Sequence, residues 1–600
     1  MSRPLAIAML AAAALAAPGV AAGAPVTALP PESPPRITEV APGVGYQRVA
    51  GADGSVVHVI RAAASPRVAL APVLAGGSPV SRGSLTGAVA ARLDTGAVAG
   101  INGDFFNTIT NDPSGVLLIG GELIHEPEAS RSALVLLPGG DLAAVTLALQ
   151  GRFQALDPTG AVTYPERTLS GLNRPAKRGS ETILYTTAYG RLETPVAGSR
   201  YEVRVRLDQA GPLAPNQPRT GTVIGTGSGG GTTIGAGHVV LTGVGSAGTA
   251  LVSDLPLGRA VGITPGLPSL PPAALDAIGG GPVLVRDGLT ITSAGEGFTS
   301  AQIGSRTSRS AVGRTADGTL LLVTAEGPSQ GRRGLTVAEQ AVLMRSLGAV
   351  TAIAMDAGGS AQLAVRDRLV IPIDGPRSLS DVIVLSYQGV TVEPLPFRLS
   401  PNADRVDDAT TMVVRATSPG ATRVSVARRT GRPSKLLWSG RLGPGAARVN
   451  LDPRRLRLAD GVYIVVARHT ADDGSGVTEQ RRRVIVDRTL SSLNARTTTA
   501  RVRTRVVRRL DVRFRLLRPA RVTVRVETPG GTPIATIASG RPLRAGAQVV
   551  SWNRTVRGTL VSGPVQVTVS ARSPLGTTGL ARSVTLKAPP RPGGPATPSP

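Results

Sequence analysis

The sequence predicts an α+β protein, in which a strand-rich mixed α/β domain is followed by two β-sandwich domains. Three observations predict this class. Short runs of Val, Leu and Ile alternate with turns from residue 37 to about 390. A single segment in that range has helical periodicity, and beyond about residue 395 only strand patterns occur. A chain of 600 residues is long enough for roughly three or four domains.

Residues 1–24 have the pattern of a secretory signal peptide. A short basic start precedes the apolar residues 5–17, and small residues lead up to Pro25. We therefore expect cleavage after Ala24 and a secreted or cell-surface protein, with an uncleaved N-terminal anchor as the alternative. No later stretch has about 18 uninterrupted apolar residues, so no transmembrane span is expected after cleavage. Residues 25–36 are predicted to be a proline-rich linker.

The charge and the cysteine content limit the classes of partner and site. The net charge of +27 is carried almost entirely by arginine, which together with the excess of Ala, Gly and Pro indicates compositional bias. We therefore predict no nucleic-acid partner. Arginines alternate with Val and Leu from Arg501 to Glu527, which predicts a solvated strand face; an anionic cell-envelope partner is the alternative. The absence of cysteine excludes disulfides, zinc–thiolate sites and a cysteine nucleophile.

The segment "LTVAEQAVLMRSLGAV" predicts the one helix of the large domain, residues 37–390. Thr336 is the predicted N-cap, and Glu339 stands at the capping-box position. The predicted buried face consists of Val337, Ala341, Met344 and Leu347. The strand "TAIAMD" follows directly, so we expect the helix to pack beside the strand that ends at Asp356.

Two segments of the large domain resemble each other. "SRSALVLLPGGDLAAV", from Ser130, and "SRSAVGRTADGTLLLV", from Ser308, each have Ser-Arg-Ser-Ala, an apolar run, a glycine-containing turn and a second apolar run. They predict two related hairpins that each present an arginine, Arg131 and Arg309. Chance similarity in so biased a composition is the alternative.

The region beyond the large domain predicts two β-sandwiches and a tail. "DGVYIVVARHTADDG" is typical of a strand and turn of an immunoglobulin-like domain. The segment that begins at Ser539 echoes the one at Ser439, which divides the region into domains of residues 396–488 and 492–587. Residues 588–600 are predicted to be a low-complexity tail.

Polar residues that follow apolar strands are few in the large domain. "INGDFF" ends a strand with Asn102, Gly103 and Asp104, where a glycine permits close approach by a ligand; a simple Asn-Gly turn is the alternative. Two further sets of candidates lie on loops at strand ends. One set is Arg309, Glu326 and Asp356 with Gly358, Gly359 and Ser360, and the other is Arg377, Ser380 and Asp381, which precede a strand. Carboxylates and arginines on the loops of one domain suit an anionic sugar or phosphate substrate. The four histidines have no metal-like spacing.

Over about residues 40–390 the sequence resembles the phosphodiester glycosidase family in four ordered motifs. These are "INGDFF", "IGGGPVLVRDG", "SRSAVGRTADG" with "AMDAGGSAQL", and "RSLSDVIVL". The resemblance implies substrate-binding roles for Asn102, Gly103, Arg309, Gly358, Gly359, Ser360, Arg377 and Ser380, with Phe105 and Phe106 completing the first motif. Two positions depart from the family pattern. Ala357 replaces a usual glycine, and Asp381 stands where asparagine is common.

The resemblance implies hydrolysis of a sugar-1-phosphodiester at the anomeric carbon, with a glycan or glycopolymer as substrate. In this hypothesis Arg309 and Arg377 hold the phosphate, Asp356 acts as base or charge stabiliser, and Asp104 or Glu326 is the partner carboxylate.

Two other classes of function are alternatives. In a metal-dependent phosphodiesterase, Asp104, Asp356 and Asp381 would bind calcium or magnesium, although the sequence itself requires no cofactor. A non-catalytic glycan-binding surface protein is the other alternative, with the β-sandwiches as the binding part.

Overall fold

We describe the protein from a computed structural model of the chain. It describes residues 26–28, 37–51, 53–157, 159–160, 162, 165–291, 296–373, 375–393, 398–429, 434–502 and 505–588, with side chains omitted at 26–28, 500–502 and 505–506. The predicted signal peptide, the linker residues 29–36 and the tail residues 589–600 lie outside these ranges. Within them, no helix is both long enough and apolar enough to cross a bilayer.

Two antiparallel sheets carry the strand ends on which the site is built. The first sheet has the strand order Thr38–Ala41, Val44–Ala50, Val56–Ala62, Leu320–Ala325, Arg309–Thr315, Ala349–Ala354, Val283–Arg286 and Leu289–Thr290. The second has the order Arg368–Leu369, Leu363–Val365, Ala97–Asn102, Asp381–Tyr387 and Val68–Leu74. Each sheet combines early and late strands of the chain, so residues 38–387 are interleaved in one unit.

Two further sheets complete the large unit. One has the strand order Asp141–Thr146, Ser132–Leu137, Asp276–Gly279, Leu117–Ile119 and Glu122–His125. The other has the order Arg167–Leu169, Gly151–Leu156, Ala260–Thr264, Arg219–Ser228, Arg200–Leu207, His238–Val244, Glu181–Tyr185 and Gly171–Leu172. Both hairpins predicted from the Ser-Arg-Ser-Ala segments are present as antiparallel pairs.

The predicted helix is confirmed as Val337–Ser346, with Thr336 as N-cap and Glu339 completing the capping box. Its buried residues pack against the first sheet in a core that includes the strand Ala349–Ala354, as expected. The opposite face of this sheet shares a second core with the five-stranded sheets, built from Val, Leu and Ile. Burial of these apolar faces is the main force that fixes the strand ends relative to one another.

Three short helices were not predicted: Leu85–Ala90, Ser246–Asp254 and Ser300–Gly304. Their small residues and glycines give little amphipathic signal. Gly100 shows what places the first of them, because a Cβ there would lie 2.7 Å from Val89 Cγ2. The 3₁₀ turns are Leu93–Thr95, Pro138–Gly140, Thr187–Tyr189, Pro328–Gln330 and Gly358–Ser360.

The region beyond the large unit contains only strands among its described regular elements, as predicted. One core lies between a three-stranded and a five-stranded sheet. The first has the order Val390–Val392, Thr410–Ala416 and Gly445–Leu451. The second has the order Arg398–Leu399, Val477–Val486, Gly461–Ala471, Gly420–Arg428 and Lys435–Leu442. A second core also lies between a three-stranded and a five-stranded sheet. The first has the order Leu490–Val502, Arg505–Leu516 and Gly546–Trp552. The second has the order Val26–Ala28, Gly576–Leu586, Gly563–Ser573, Ala520–Glu527 and Pro533–Leu543. A small two-stranded sheet joins Thr555–Val556 to Thr559–Leu560.

Two details of this region concern the predictions. Val26–Ala28, within the predicted linker, forms an edge strand against Gly576–Leu586, because a strand edge offers unpaired backbone groups to any extended segment. The solvated arginine face is confirmed, since Arg513, Arg515, Arg521 and Arg525 are exposed between buried apolar neighbours.

Candidate active site

Three strand ends meet at one edge of the large unit. The strands Ala97–Asn102 and Asp381–Tyr387 run antiparallel with Asn102 opposite Val382, so Asp104 and Asp381 lie next to each other. The strand Ala349–Ala354 of the neighbouring sheet ends at the same place, where the Asp356 N–H donates to the Gly103 carbonyl at 3.0 Å. The structure therefore brings Asp104, Asp356 and Asp381 together.

Asp104 is a buried carboxyl that is fixed by backbone donors. It is 4% exposed, and it accepts hydrogen bonds from the Phe105 N–H at 2.7 Å and the Gly115 N–H at 2.8 Å. Burial raises the pKa of Asp104 to about 7, although these two N–H groups and the charge of Arg131 oppose the shift. Asp104 therefore titrates close to neutral pH, which suits a group that exchanges protons.

Asp381 is the neighbour of Asp104 and is 1% exposed. Its Oδ1 accepts a hydrogen bond from the Asp104 N–H at 2.7 Å, while its Oδ2 is buried without a partner. Burial, followed by the charge of Asp104, raises the pKa of Asp381 well above its ordinary range. Because two adjacent buried carboxyls resist double ionisation, the pair holds a proton at neutral pH.

Glycines make room for these carboxyls. A Cβ at Gly103 would lie 2.1 Å from Asp381 Oδ1, and a Cβ at Gly279 would lie 2.1 Å from Asp104 Oδ2. The group that approaches Gly103 in the structure is the Asp381 carboxyl, which differs from the ligand approach expected from the sequence. Any side chain at these positions would displace the pair.

Asp356 is the most accessible of the three carboxyls, being half-buried. Its Oδ1 accepts a hydrogen bond from the Ala357 N–H at 2.8 Å. Burial raises the pKa of Asp356, while the Ser360 hydroxyl, this N–H, Arg377 and Arg131 oppose the shift. A half-buried carboxylate with a raised pKa is able to act as a base toward a bound ligand.

Asn102 holds the Asp356 loop by hydrogen bonds to its backbone. Its Nδ2 donates to the Asp356 carbonyl at 2.8 Å, and its Oδ1 accepts from the Gln362 N–H at 3.0 Å. Since Asn102 is fully buried, it positions the loop in this structure, which differs from the substrate contact that the resemblance implies.

The loop Gly358–Ser360 and Arg377 border the exposed side of Asp356. The exposed Arg377 lies with Nη1 3.5 Å from the Ser360 hydroxyl, and a Cβ at Gly359 would lie 3.5 Å from the same guanidinium. Gly358 has φ 64°, a left-handed conformation that favours glycine. Ser380, which precedes Asp381, is buried, and its hydroxyl has no hydrogen-bond partner. Arg377 is thus placed to reach a ligand above the loop.

Ala357 departs from the family pattern without strain. Its φ of −109° and ψ of −175° are extended values that any residue adopts. The methyl group that replaces the usual glycine therefore leaves the loop backbone unstrained.

Among the described contacts, Arg309 makes its hydrogen bonds to loop carbonyls and none to the three aspartates. Its Nε donates to the Leu335 carbonyl at 2.7 Å, and its Nη2 donates to the carbonyls of Gln302 and Ser305 at 2.8 and 2.9 Å. Burial lowers the pKa of Arg309 to about 10. These bonds make Arg309 a positioning residue for the surrounding loops, which differs from the predicted phosphate contact.

Glu326 belongs to a separate buried cluster. Its Oε1 lies 2.8 Å from His58 Nε2, and its Oε2 accepts from Arg332 Nε at 3.3 Å. The other ring nitrogen of His58 bonds the Tyr46 hydroxyl at 2.8 Å. Because its described contacts all lie in this cluster, Glu326 is not the partner carboxylate of Asp356 in this structure.

Arg131, which the sequence placed on a hairpin but not in the site, lies at the aspartates. Its guanidinium carbon is 4.9 Å from the ring centroids of both Phe105 and Phe298. Its charge acts on Asp104 and Asp356. The repeated Ser-Arg-Ser-Ala motif was the available signal, but no pattern in the sequence links Phe298 to it.

The predicted calcium or magnesium site at Asp104, Asp356 and Asp381 does not fit the structure. Among the residues that the structure describes, no group of three His, Cys, Asp or Glu side chains is arranged to hold a metal ion. Each oxygen of Asp104 already accepts one backbone N–H group, which leaves fewer lone pairs for any further ligand. The trio is better described as a carboxyl cluster.

Comparison with known proteins finds a family match inside the large unit. Residues 213–386 match the model of the phosphodiester glycosidase family, which confirms the predicted resemblance and makes the matched segment that of an enzyme family. The match starts after residue 104, so it does not include Asn102 and Asp104. These two residues contact the matched segment in the structure, where they hydrogen-bond to Asp356 and Asp381. A curated relative, the SPbeta prophage-derived uncharacterized protein YomE of Bacillus subtilis (strain 168), is 37% identical over 81 residues, which are 13% of each chain.

Two solved structures resemble the chain more distantly. A hypothetical protein from Synechocystis has a TM-score of 0.49 and 23% identity, covering 60% of this chain and 64% of its own. The catalytic domain of zebrafish N-acetylglucosamine-1-phosphodiester alpha-N-acetylglucosaminidase has a TM-score of 0.30 and 12% identity, covering 61% and 89%.

Proposed function

We propose that this chain, whose residues 213–386 carry the phosphodiester glycosidase match, hydrolyses a sugar-1-phosphodiester in a cell-surface or extracellular glycan. One observation carries the proposal. Three carboxyls with raised pKa values meet at a sheet edge, where Arg131 acts on Asp104 and Asp356, and Arg377 acts on Asp356. Carboxyl groups beside guanidinium groups suit a substrate in which a sugar carbon is bonded to a phosphodiester.

The reaction breaks the bond between the anomeric carbon and the phosphate oxygen. Water adds to the carbon, the phosphomonoester leaves with the bonding electrons, and the proton of the water passes to a carboxylate. Because a phosphate leaving group needs little protonation, the main tasks are charge neutralisation and stabilisation of an oxocarbenium-like state. Asp356, the most accessible carboxyl, takes the role of base or charge stabiliser and accepts the proton of the water. The pair Asp104 and Asp381 keeps the proton that it already shares.

We further propose that this chemistry needs no metal bound by the three aspartates, since no three such side chains among the described residues are arranged to hold one. Activity that survives a chelator would support this.

Export and envelope binding belong to the same proposal. The N-terminal signal pattern supports export, and the exposed arginines of the last unit support contact with an anionic envelope polymer. Beyond the large unit, each of two cores lies between a three-stranded and a five-stranded sheet. This arrangement supports the assignment of residues 396–488 and 492–587 as immunoglobulin-like β-sandwiches.

The test uses the full chain, a synthetic N-acetylglucosamine-1-phosphodiester and purified cell-wall glycopolymers in ¹⁸O-labelled water. We expect free sugar that carries the label. Label in the phosphomonoester would show cleavage at phosphorus and overturn the proposal. Glycopolymer retention without sugar release would instead favour a glycan-binding protein.

A further inference from the structure

We propose that Arg131 is the anion-binding residue of this site and that its ligand is the phosphodiester group of the substrate. This inference rests on the proposed function, because it names the residue that recognises the phosphate. Arg309, the phosphate contact expected from the sequence, directs its hydrogen bonds to backbone carbonyls instead.

Two aromatic rings fix the guanidinium of Arg131. Its central carbon lies 4.9 Å from the centroid of each ring, Phe105 and Phe298, and the ring centroids are 5.6 Å apart. Aromatic faces hold a planar guanidinium by cation–π attraction and restrict its rotation. The orientation of the Arg131 donors is therefore set before a ligand binds.

One donor of Arg131 is left unused. Its Nη1 is buried and has no hydrogen-bond partner. An unsatisfied buried donor destabilises the folded protein, more so when the group is charged, and an oxygen of a bound anion removes that cost. Arg309 shows the contrast, since its Nε and Nη2 donate to three carbonyls.

The surrounding charges favour an anion of low charge. Arg131 influences Asp104 and Asp356, yet the structure gives it no hydrogen bond to either carboxyl. With the exposed Arg377 bordering Asp356, the site offers two guanidinium groups to a ligand. A phosphodiester carries one negative charge and two free oxygens, which match the paired N–H groups of a guanidinium.

Glu296 holds the Phe298 segment against Arg131. Its Oε2 accepts from the Ser132 N–H at 2.9 Å, and its Oε1 accepts from the Val283 N–H at 2.8 Å. The residue after Arg131 and the segment that carries the second ring are therefore tied to the same carboxylate. This makes Glu296 a positioning residue for the aromatic pair.

The test measures binding of dimethyl phosphate and of inorganic phosphate to the full chain by calorimetry. We expect Arg131→Gln to raise the Kd for dimethyl phosphate at least about tenfold, as loss of a charged hydrogen bond predicts. Arg131→Lys should recover binding only in part, because an ammonium lacks the planar fork. Arg82→Gln is the matched control, since the exposed Arg82 also lies over a ring, that of Phe106, at 5.7 Å.

The outcomes separate this inference from the proposed function. Sugar-1-phosphodiester hydrolysis that proceeds equally well in Arg131→Gln would overturn the role of Arg131 and leave the hydrolase standing. Binding that depends on Arg131 without any sugar release would support the anion site and reject hydrolysis. If Arg131→Gln does not fold, Phe298→Leu removes one ring at a half-buried position, and an unchanged Kd in that variant would count against the inference.

Discussion

The hairpins that begin at Ser130 and Ser308 share the sequence Ser-Arg-Ser-Ala but use their arginines differently. Arg309 is the first residue of a strand and is paired opposite Ala325, and loop carbonyls cover its side chain. Arg131 precedes its strand and lies between two aromatic rings with one donor free. The same local motif therefore provides a scaffold in one place and a candidate ligand contact in the other, depending on what packs over it.

The largest effect is expected at Asp356, the accessible carboxyl on which the charge of Arg131 acts. Asp356→Asn should lower kcat for a sugar-1-phosphodiester by about 10²–10⁴-fold, because the variant cannot accept a proton or stabilise positive charge. Initial rates of sugar release measure the effect. Glu326→Gln is the control, since the contacts of Glu326 are with a separate cluster, and an equal loss in both variants would break the distinction.

The second prediction concerns stability and sharpens the contrast between the arginines. Arg309→Lys should lower the free energy of unfolding by about 2–3 kcal/mol, because buried carbonyls lose charged donors. Arg131→Lys should lower it by less than about 1 kcal/mol, since few bonds are lost. Urea unfolding of both variants gives the comparison. A larger cost for Arg131→Lys would reverse the roles assigned here.

The third prediction uses the raised pKa of Asp381. The folded state keeps the Asp381 proton at pH values where the unfolded chain, with a pKa of about 3.9, has already lost it. The free energy of unfolding should therefore fall as pH rises above about 4. In Asp381→Asn, which does not titrate there, the decline between pH 5 and pH 8 should be shallower in urea unfolding. An equally steep decline would show that Asp381 does not hold the proton.

The smallest effect is expected in the helix that packs behind the Arg309 strand. Thr336→Ala removes the side chain that accepts from the Glu339 N–H at 3.2 Å and should lower the free energy of unfolding by about 1 kcal/mol. KM for the sugar-1-phosphodiester should stay unchanged, because the cap supports the scaffold only. A raised KM would connect this helix to the ligand site.

Elements with strong local signals could be predicted from the sequence. The capped helix Val337–Ser346 and both hairpins were found, because capping residues and apolar periodicity act over a few residues. The helix Leu85–Ala90 was missed, since its small residues show little amphipathic pattern and its place depends on the close approach that Gly100 permits.

The site shows the same division. Asp104, Asp356 and Asp381 were selected as polar residues at strand ends, and the structure does bring them together. Their proposed use as metal ligands did not fit among the described residues, because the spacing of the three carboxyls is set by strand pairing across the sheet. Glu326 and Arg309 were selected by the same rule, yet both are bound to partners elsewhere.

The sequence by itself determined the strand-rich class, the capped helix, the paired hairpins and the resemblance to phosphodiester glycosidases, since each depends on residues close together in the chain. Only the tertiary structure decided which arginine lies at the aspartates and which carboxyl keeps a proton. Phe105 and Phe298 are almost two hundred residues apart, and only folding places both rings on Arg131. Burial and hydrogen-bond partners come from such contacts, and they set the charge and availability of each side chain.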